Sequence, residues 1–290
     1  MKKIIYIASL VLICMPFKGI SQSRYFDDND EHRLVQLSIG GGGFFANRHV
    51  AGYYTGHPSN VNKLSYAWRN RDFVRELDNR LRDKNIISTE MSSDDARVEF
   101  PERMRYRLST AVSFRGSLNL SPYTSIFFNV NQVNLTAADI LVFTFPNPGT
   151  ITEPIRIQGR VWGREARTML DVGFQWRNNL EIPNWQWFYE LAFNVTNTHV
   201  RENQIEIEGL TQSIMDRGSY HPGIGWSTVA LPETAWGIGL VGSLGWRYVV
   251  SPAVSLDIGA TAYLQDINLT GYTRFHTNFN FFARLNFSML

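Results

Sequence analysis

Six histidines, His32, His49, His57, His199, His221 and His276, are the side chains of this sequence best suited to proton transfer or metal ligation. A hydrolase would need a serine within hydrogen-bond reach of one of them and an acid behind it. His276 is followed by Thr277 and Asn278, so the same-face position of a strand carries no serine. His199 near Glu202 and His221 beside Tyr220 have no evident nucleophile either. No His-Glu-x-x-His, calcium-loop or nucleotide motif is present. The Gly40–Gly43 run lacks the Lys-Ser/Thr and the helix that a phosphate loop requires, and it reads as relief of crowding in a curved wall. The single cysteine, Cys14, leaves no scope for a disulfide or a cysteine metal site. The sequence implies no catalytic residues, no metal and no cofactor.

Charge is the more informative chemistry. Arg103, Arg105, Arg107 and Arg115 alternate with Met104, Tyr106, Leu108 and Phe114. The same one-in-two spacing places Glu165, Arg167, Asp171, Arg177, Glu190, Arg247, Asp257 and Arg284 opposite apolar neighbours. Side chains two apart on a strand share a face, so these twelve charges are expected to line a polar interior as a salt-bridged network. Eight of the twelve are basic, which leaves an anion-selective channel as one reading of that interior.

The elements that must position these charges are strands. Phe275 to Leu290 sets Phe275, Phe279, Phe281, Leu285 and Phe287 on one side and His276, Asn278, Asn280, Arg284 and Asn286 on the other. Similar alternation runs through 33–47, 103–120, 124–136, 155–177, 185–207, 236–250 and 254–264. In 124–136 the apolar phase changes from Ile126, Phe128 and Val130 to Val133 and Leu135, which predicts a bulge. Trp236 falls at one end of its strand and Trp246 with Tyr248 at the other, the placement of two interfacial aromatic girdles that Trp176, Trp185 and Trp187 are expected to join. Aromatic residues make up 13% of the chain, high enough to furnish such girdles. Connections after strands one, three and five are long, about 55, 19 and 26 residues, the one after strand seven is about 5, and those after strands two, four and six are short turns.

Two long connections stand out. Residues 48–102 contain Phe73, Val74, Leu77 and Leu81 at helical spacing, with Glu76–Arg80 and Asp78–Arg82 four apart. A helix is expected near 63–84, with Trp68, Phe73, Leu77 and Leu81 as candidate partner-binding residues. The second connection, 209–234, contributes Tyr220, His221 and Trp226 to the same list.

The chain begins with Lys2, Lys3 and an apolar run from Ile4 to Met15, and reads as a signal peptide over 1–21. An acidic tail follows over 22–32. With Lys2, Lys3 and Lys18 removed, 25 basic residues face 26 acidic ones, so nothing points to nucleic acid.

In strand number, loop alternation and aromatic pattern, residues 33–290 resemble the small eight-stranded outer-membrane barrels of OmpA-like or OmpX-like layout. The signal, the aromatic strands and the lack of mature cysteine are similar to barrels of Bacteroidota-type envelopes. The resemblance implies an all-β fold, an eight-stranded antiparallel up-and-down transmembrane barrel with one helix in a long first extracellular loop. It also implies export and insertion by the barrel-assembly machinery into the outer membrane of a Gram-negative cell, with lipid as a partner. Barrels of this group include accessory subunits of secretion, uptake or motility assemblies and some lipid-modifying enzymes. The absence of a catalytic constellation favours a structural or protein-interaction role, with protein partners meeting the long loops. An anion pore and a lipid-modifying enzyme are the alternatives.

Overall fold

A computed structural model describes residues 34–86, 97–145, 154–215, 220–221, 225–226 and 233–289. The chain divides into the units Met1–Glu31 and His32–Leu290, and the account below concerns the second. The expected signal peptide and acidic tail lie outside the described residues.

Eight long strands follow one another: β1 (Val35–Phe45), β2 (Ser109–Asn119), β3 (Thr124–Phe145), β4 (Ile155–Asn179), β5 (Trp185–Ile207), β6 (Thr234–Ser251), β7 (Val254–Asp266) and β8 (Phe275–Met289). Each pairs antiparallel with the next, and β8 pairs with β1, so the sheet closes on itself. Polar backbone groups in a hydrocarbon layer must all be bonded internally, and a closed ring achieves this.

The pairing fixes the barrel's geometry. From Val35 the partners run through Leu118, Ile126, Phe174, Leu191, Gly242, Ala262 and Phe279 to Phe45. One circuit therefore climbs ten positions along β1, from Val35 to Phe45. That is about 33 Å along the strands against about 38 Å across eight strands, a tilt of about 40°.

The wall is uneven. β3, β4 and β5 are 22, 25 and 23 residues long, whereas β1 and β2 have 11 each. About 10 residues suffice to cross a membrane, so three adjacent strands rise well beyond it. Short strands extend this raised sheet on both sides: Arg97–Glu99 and Arg105–Tyr106 pair with β3, and Leu210–Ser213 pairs with β5. A two-stranded ladder joins Tyr220–His221 to Gly225–Trp226.

The expected bulge in β3 is absent: its register with β4 is unbroken from Thr124 to Phe145. What changes along β3 is the environment on each side. Ile126 and Phe128 are exposed on the outer face and Asn129 and Asn131 are buried inside. Higher up, Gln132 and Asn134 are the exposed residues and Val133, Leu135 and Leu141 are buried. The strand leaves the membrane without slipping. Register shifts occur instead between β4 and β5, where Arg164 opposes Glu202 and Glu165 opposes Val200, and between β6 and β7 at Val249–Ser251.

The first connection supplies helix α1 (Arg48–Ala51), 3₁₀ turns at Gly52–Tyr54 and Leu64–Arg69, and helix α2 (Arg71–Asp83). Asn47 and Asn70 cap α1 and α2, each accepting backbone N–H bonds through its side chain. The helical stretch expected over 63–84 is thus split by the extended backbone of Asn70.

Closure also depends on Gly42 at the β1–β8 seam. A Cβ there would sit 1.9 Å from the Phe281 carbonyl oxygen. Gly42→Val is expected to cost at least the 1–3 kcal/mol typical of overpacking. The loss would appear as a weakened mobility shift between unheated and heated samples on a denaturing gel, and an unchanged shift would contradict this account of the seam.

Candidate functional site

The lumen is built from inward positions of all eight strands. Glu190 on β5 accepts hydrogen bonds from Arg115 Nη1 (2.6 Å), Arg284 Nη2 (2.9 Å) and Gln175 Nε2 (2.8 Å). Asp257 on β7 receives a two-pronged bond from Arg247 (2.7 and 2.9 Å) and a further one from Arg284 Nη2 (2.8 Å). Arg284 thereby links both carboxylates, and the chain Arg115–Glu190–Arg284–Asp257–Arg247 crosses the barrel. Asp171 stands apart and is held by the side-chain amides of Asn129, Asn131 and Asn194 at 2.6–3.0 Å. Arg177 meets Asn119 Oδ1 at 2.8 Å. Arg115 also lies over the Phe127 ring, 3.7 Å from its centroid.

Buried charges are costly unless paired, and the pairing of Arg115, Arg247 and Arg284 with Glu190 and Asp257 holds these side chains across the lumen as a plug, with Arg115 Nη2 and Arg177 Nε left without a partner. The cavity left among Asn129, Asp171, Glu190, Tyr263 and Arg284 is about 20 Å³. That is space for about one water molecule.

A second layer closes the barrel above. Glu165 accepts hydrogen bonds from the Tyr54 hydroxyl and, at 3.0 Å, from the Tyr106 hydroxyl, while Arg167 Nε donates to its other oxygen at 2.6 Å. The Tyr54 ring lies against Gly163, where a Cβ would fall 1.9 Å from the ring. Beside it, the Tyr53 hydroxyl donates to Glu233, which also accepts from the backbone N–H (2.7 Å) and hydroxyl (2.8 Å) of Thr270. Two carboxylates thus tie the first connection to β4 and to the connections flanking β6 and β7.

Above this layer, Phe73, Leu77 and Leu81 of α2 pack with Leu141, Phe143, Phe145, Ile157, Ile205 and Ile207 of the raised sheet. Trp68 is half-buried against Phe73 and Phe143, with ring centroids 5.9 and 6.4 Å away. The helix is held to the β5–β6 connection by Arg80 Nη1 donating to the Glu208 carbonyl (2.8 Å) and by the Lys84–Glu208 ion pair.

Two expectations are corrected here. Phe73, Leu77 and Leu81 are not a free docking face, because they are buried against the apolar inner wall of the raised strands, which this helix covers together with Val50, Tyr53, Tyr54 and Leu64 of the same connection. Arg103, Arg105 and Arg107 are exposed on the outside, not part of the interior network. Met104 and Tyr106 face inward in that stretch; the phase changes at Arg107–Leu108, so that Ser109 and Ala111 become the inward positions of β2. The other nine expected interior charges are buried. Trp176 stacks on Tyr189 (5.1 Å), Trp187 lies 5.5 Å from Tyr189, and Trp185 packs on Tyr248 (5.2 Å), with Trp246 paired to Trp187. Trp236 stands exposed at the far end of β6. Tyr220, His221 and Trp226 belong to the small ladder, and their side chains lie outside the described residues.

Sequence reasoning missed Tyr53, Tyr54, Tyr106 and Glu233. The adjacent tyrosines in a polar connection were the available signal. It also missed a shallow cleft of about 350 Å³ between His49, Asn60, Tyr272 and Arg274. Among the described residues the histidines form no triad: His57 Nδ1 lies 2.7 Å from Ser59 Oγ, but no carboxylate there bonds to His57. Nor do the described residues contain a cluster of three or more His, Cys, Asp or Glu side chains that could hold a metal.

The outer surface defines the class of protein. Phe114, Phe128, Val172, Phe193, Leu244, Ile258 and Phe281 are each about half exposed and encircle a polar lumen, inverting the soluble arrangement. Trp236 and Trp246, on the same face of one tilted strand, bracket a band about 25 Å tall. No helix among the described residues is long and apolar enough to cross a membrane; the crossing is made by strands. The chain is a small transmembrane β-barrel of the outer-membrane type. No protein-family model matches it, and no curated protein does. Among solved structures it is similar to Neisserial surface protein A, with 8% identity and TM-score 0.36 over 88% of this chain and 97% of that one. OprG of Pseudomonas aeruginosa gives 10% identity and TM-score 0.35 over 88% and 94%. Ail, the attachment invasion locus protein of Yersinia pestis, gives 8% and 0.33 over 87% and 96%. The fold assignment rests on the closed strand pairing rather than on these scores.

Glu165→Gln is expected to leave Arg167 buried without its countercharge, costing about 3–5 kcal/mol, read as earlier protease cleavage within residues 48–86. Burial, then Glu233, raises the Tyr53 phenol, and burial, then Glu165, raises that of Tyr54. Because the folded-state pKa is the higher one, this contribution is complete below about pH 10 and declines as pH rises past the unfolded phenol value. Trp68 fluorescence should therefore change above about pH 10, less so in a Tyr53→Phe/Tyr54→Phe variant; a flat profile in the wild type would refute the coupling.

Proposed function

We propose that this outer-membrane barrel has a structural or protein-interaction role, as an accessory subunit of an envelope assembly, and does not conduct ions. The observation that supports this reading is the double closure of the lumen. Below, an arginine–carboxylate chain leaves about 20 Å³ of free space; above, an apolar cap fills the raised sheet. Among the described residues, both layers fill the lumen with side chains and leave little room for a hydrated ion. Of the eight arginines whose excess favoured an anion pore in the sequence, three stand outside the lumen, Arg115, Arg167, Arg247 and Arg284 pair with Glu190, Glu165 and Asp257, and Arg177 bonds Asn119.

What the cap offers instead is a fixed polar surface. The exposed side of α2 carries Arg75 and Asn79, held in place by its buried side. A prearranged surface loses little entropy when a partner docks, which suits stable assembly.

The test is co-purification of the tagged protein from outer membranes in mild detergent, with planar-bilayer recordings alongside. A partner at fixed stoichiometry, lost in an Arg75→Glu/Asn79→Arg variant that still folds, is the expected outcome. Steady conductance from the wild-type barrel would return the pore reading to first place.

A further inference from the structure

The arginines that do not enter the lumen form a surface of their own. Arg103, Arg105 and Arg107 are exposed on the outer face and make no ion pair among the described residues. Across β3 from them, two strands away, stand Arg160 and Arg164 of β4. Arg107 N–H donates to the Thr136 carbonyl at 2.9 Å, and Thr136 opposes Arg164. Arg105 opposes Ala138, whose partner on its other side is Trp162. Arg164 and Arg160 approach Glu202 and Glu206 at 3.5 and 4.0 Å, through exposed side chains. Such pairs are weak and screened, so both guanidiniums keep most of their capacity for another anion.

The height of this patch decides what it meets. Arg107 directly follows the inward Tyr106 and precedes Leu108, an outward apolar residue 65% exposed at the top of the lipid-facing belt. Trp236 shares a row with Asn197 and Thr168, and Arg164 stands four residues above Thr168 on β4. Both guanidiniums thus fall within about 10 Å of the belt's upper edge, the depth occupied by lipid headgroups. The opposite rim differs. Its turns at 120–123, 180–184 and 252–253 carry Glu181 and, among the described residues, no outward Lys or Arg.

We propose that this arginine face grips the phosphate-bearing headgroup of an anionic lipid in the leaflet at the loop rim. The inference rests on the membrane-barrel reading. Guanidinium forks bind phosphate oxygens in pairs, and several converging on one headgroup give selectivity over a zwitterionic lipid. At Leu108 the patch adjoins the lipid-facing belt directly, so the headgroup of a lipid packed on that belt is an anion within its reach.

The experiment is extraction of the full-length protein from native outer membranes in mild detergent, with lipid phosphorus and lipid mass spectra measured per barrel. The wild type is expected to retain anionic phospholipid or phosphorylated glycolipid, and Arg105→Gln/Arg107→Gln/Arg164→Gln to retain about tenfold less. A heat-dependent gel shift shows that the variant is folded. If it is not, the wild type washed at rising salt serves, with retention expected to fall as the charges are screened. Equal phosphorus in the folded variant, or retention indifferent to salt, overturns the proposal. So does a wild type that binds a soluble polyanion such as heparin while carrying no lipid phosphorus, since the face then belongs to a soluble partner. A protein recovered without detergent would instead refute the membrane reading itself.

Discussion

Hydrocarbon offers no hydrogen bonds, and that single fact governs the architecture. Every backbone N–H and C=O in the crossing region must find a partner in another strand, so β8 has to return to β1. The stagger of the closed ring then fixes the tilt. The tilt and eight-strand circumference set a bore that side chains can fill. Filling it with arginines, carboxylates and amides is possible because the outer face takes the whole apolar load. The alternation of the strands is the visible trace of this division.

Above the membrane the same strands face the reverse demand. Water now bathes the outside, and the inner side of β3, β4 and β5 becomes the greasy one, with Val133, Leu135, Leu141 and Phe143 buried. A sheet with an apolar concave face cannot stand uncovered in water. Helix α2 covers it, and the Tyr54–Glu165 and Tyr53–Glu233 bonds anchor the approach to that helix. The cap is accordingly part of the core, not an appendage. Its removal would expose apolar wall and uncover a buried ion pair together.

How legible this was depended on whether the controlling interaction was local. Period-two alternation is local, so the strands and nine of the inward charges could be read directly. Arg103, Arg105 and Arg107 could not, because the phase of the alternation changes at Arg107–Leu108, and each phase looks equally regular in isolation. The apparent bulge at Val133 arose from assuming one solvent on each side throughout. The apolar stripe of α2 was plain at Phe73, Leu77 and Leu81, but its destination lay on strands far along the chain. The Tyr54–Glu165 and Tyr106–Glu165 bonds span 111 and 59 residues with no local signature.

The point on each tall strand where outward residues turn from apolar to polar amounts to a waterline. On β3 it falls between Val130 and Gln132, on β4 between Leu170 and Thr168, and on β5 between Val195 and Asn197. A thicker bilayer would immerse the Gln132, Thr168 and Asn197 side chains, and each ångström of mismatch costs a fraction of a kcal/mol. The waterline is therefore also an address. It suits this barrel to a thin membrane and discourages residence in a thicker one, independently of any targeting signal.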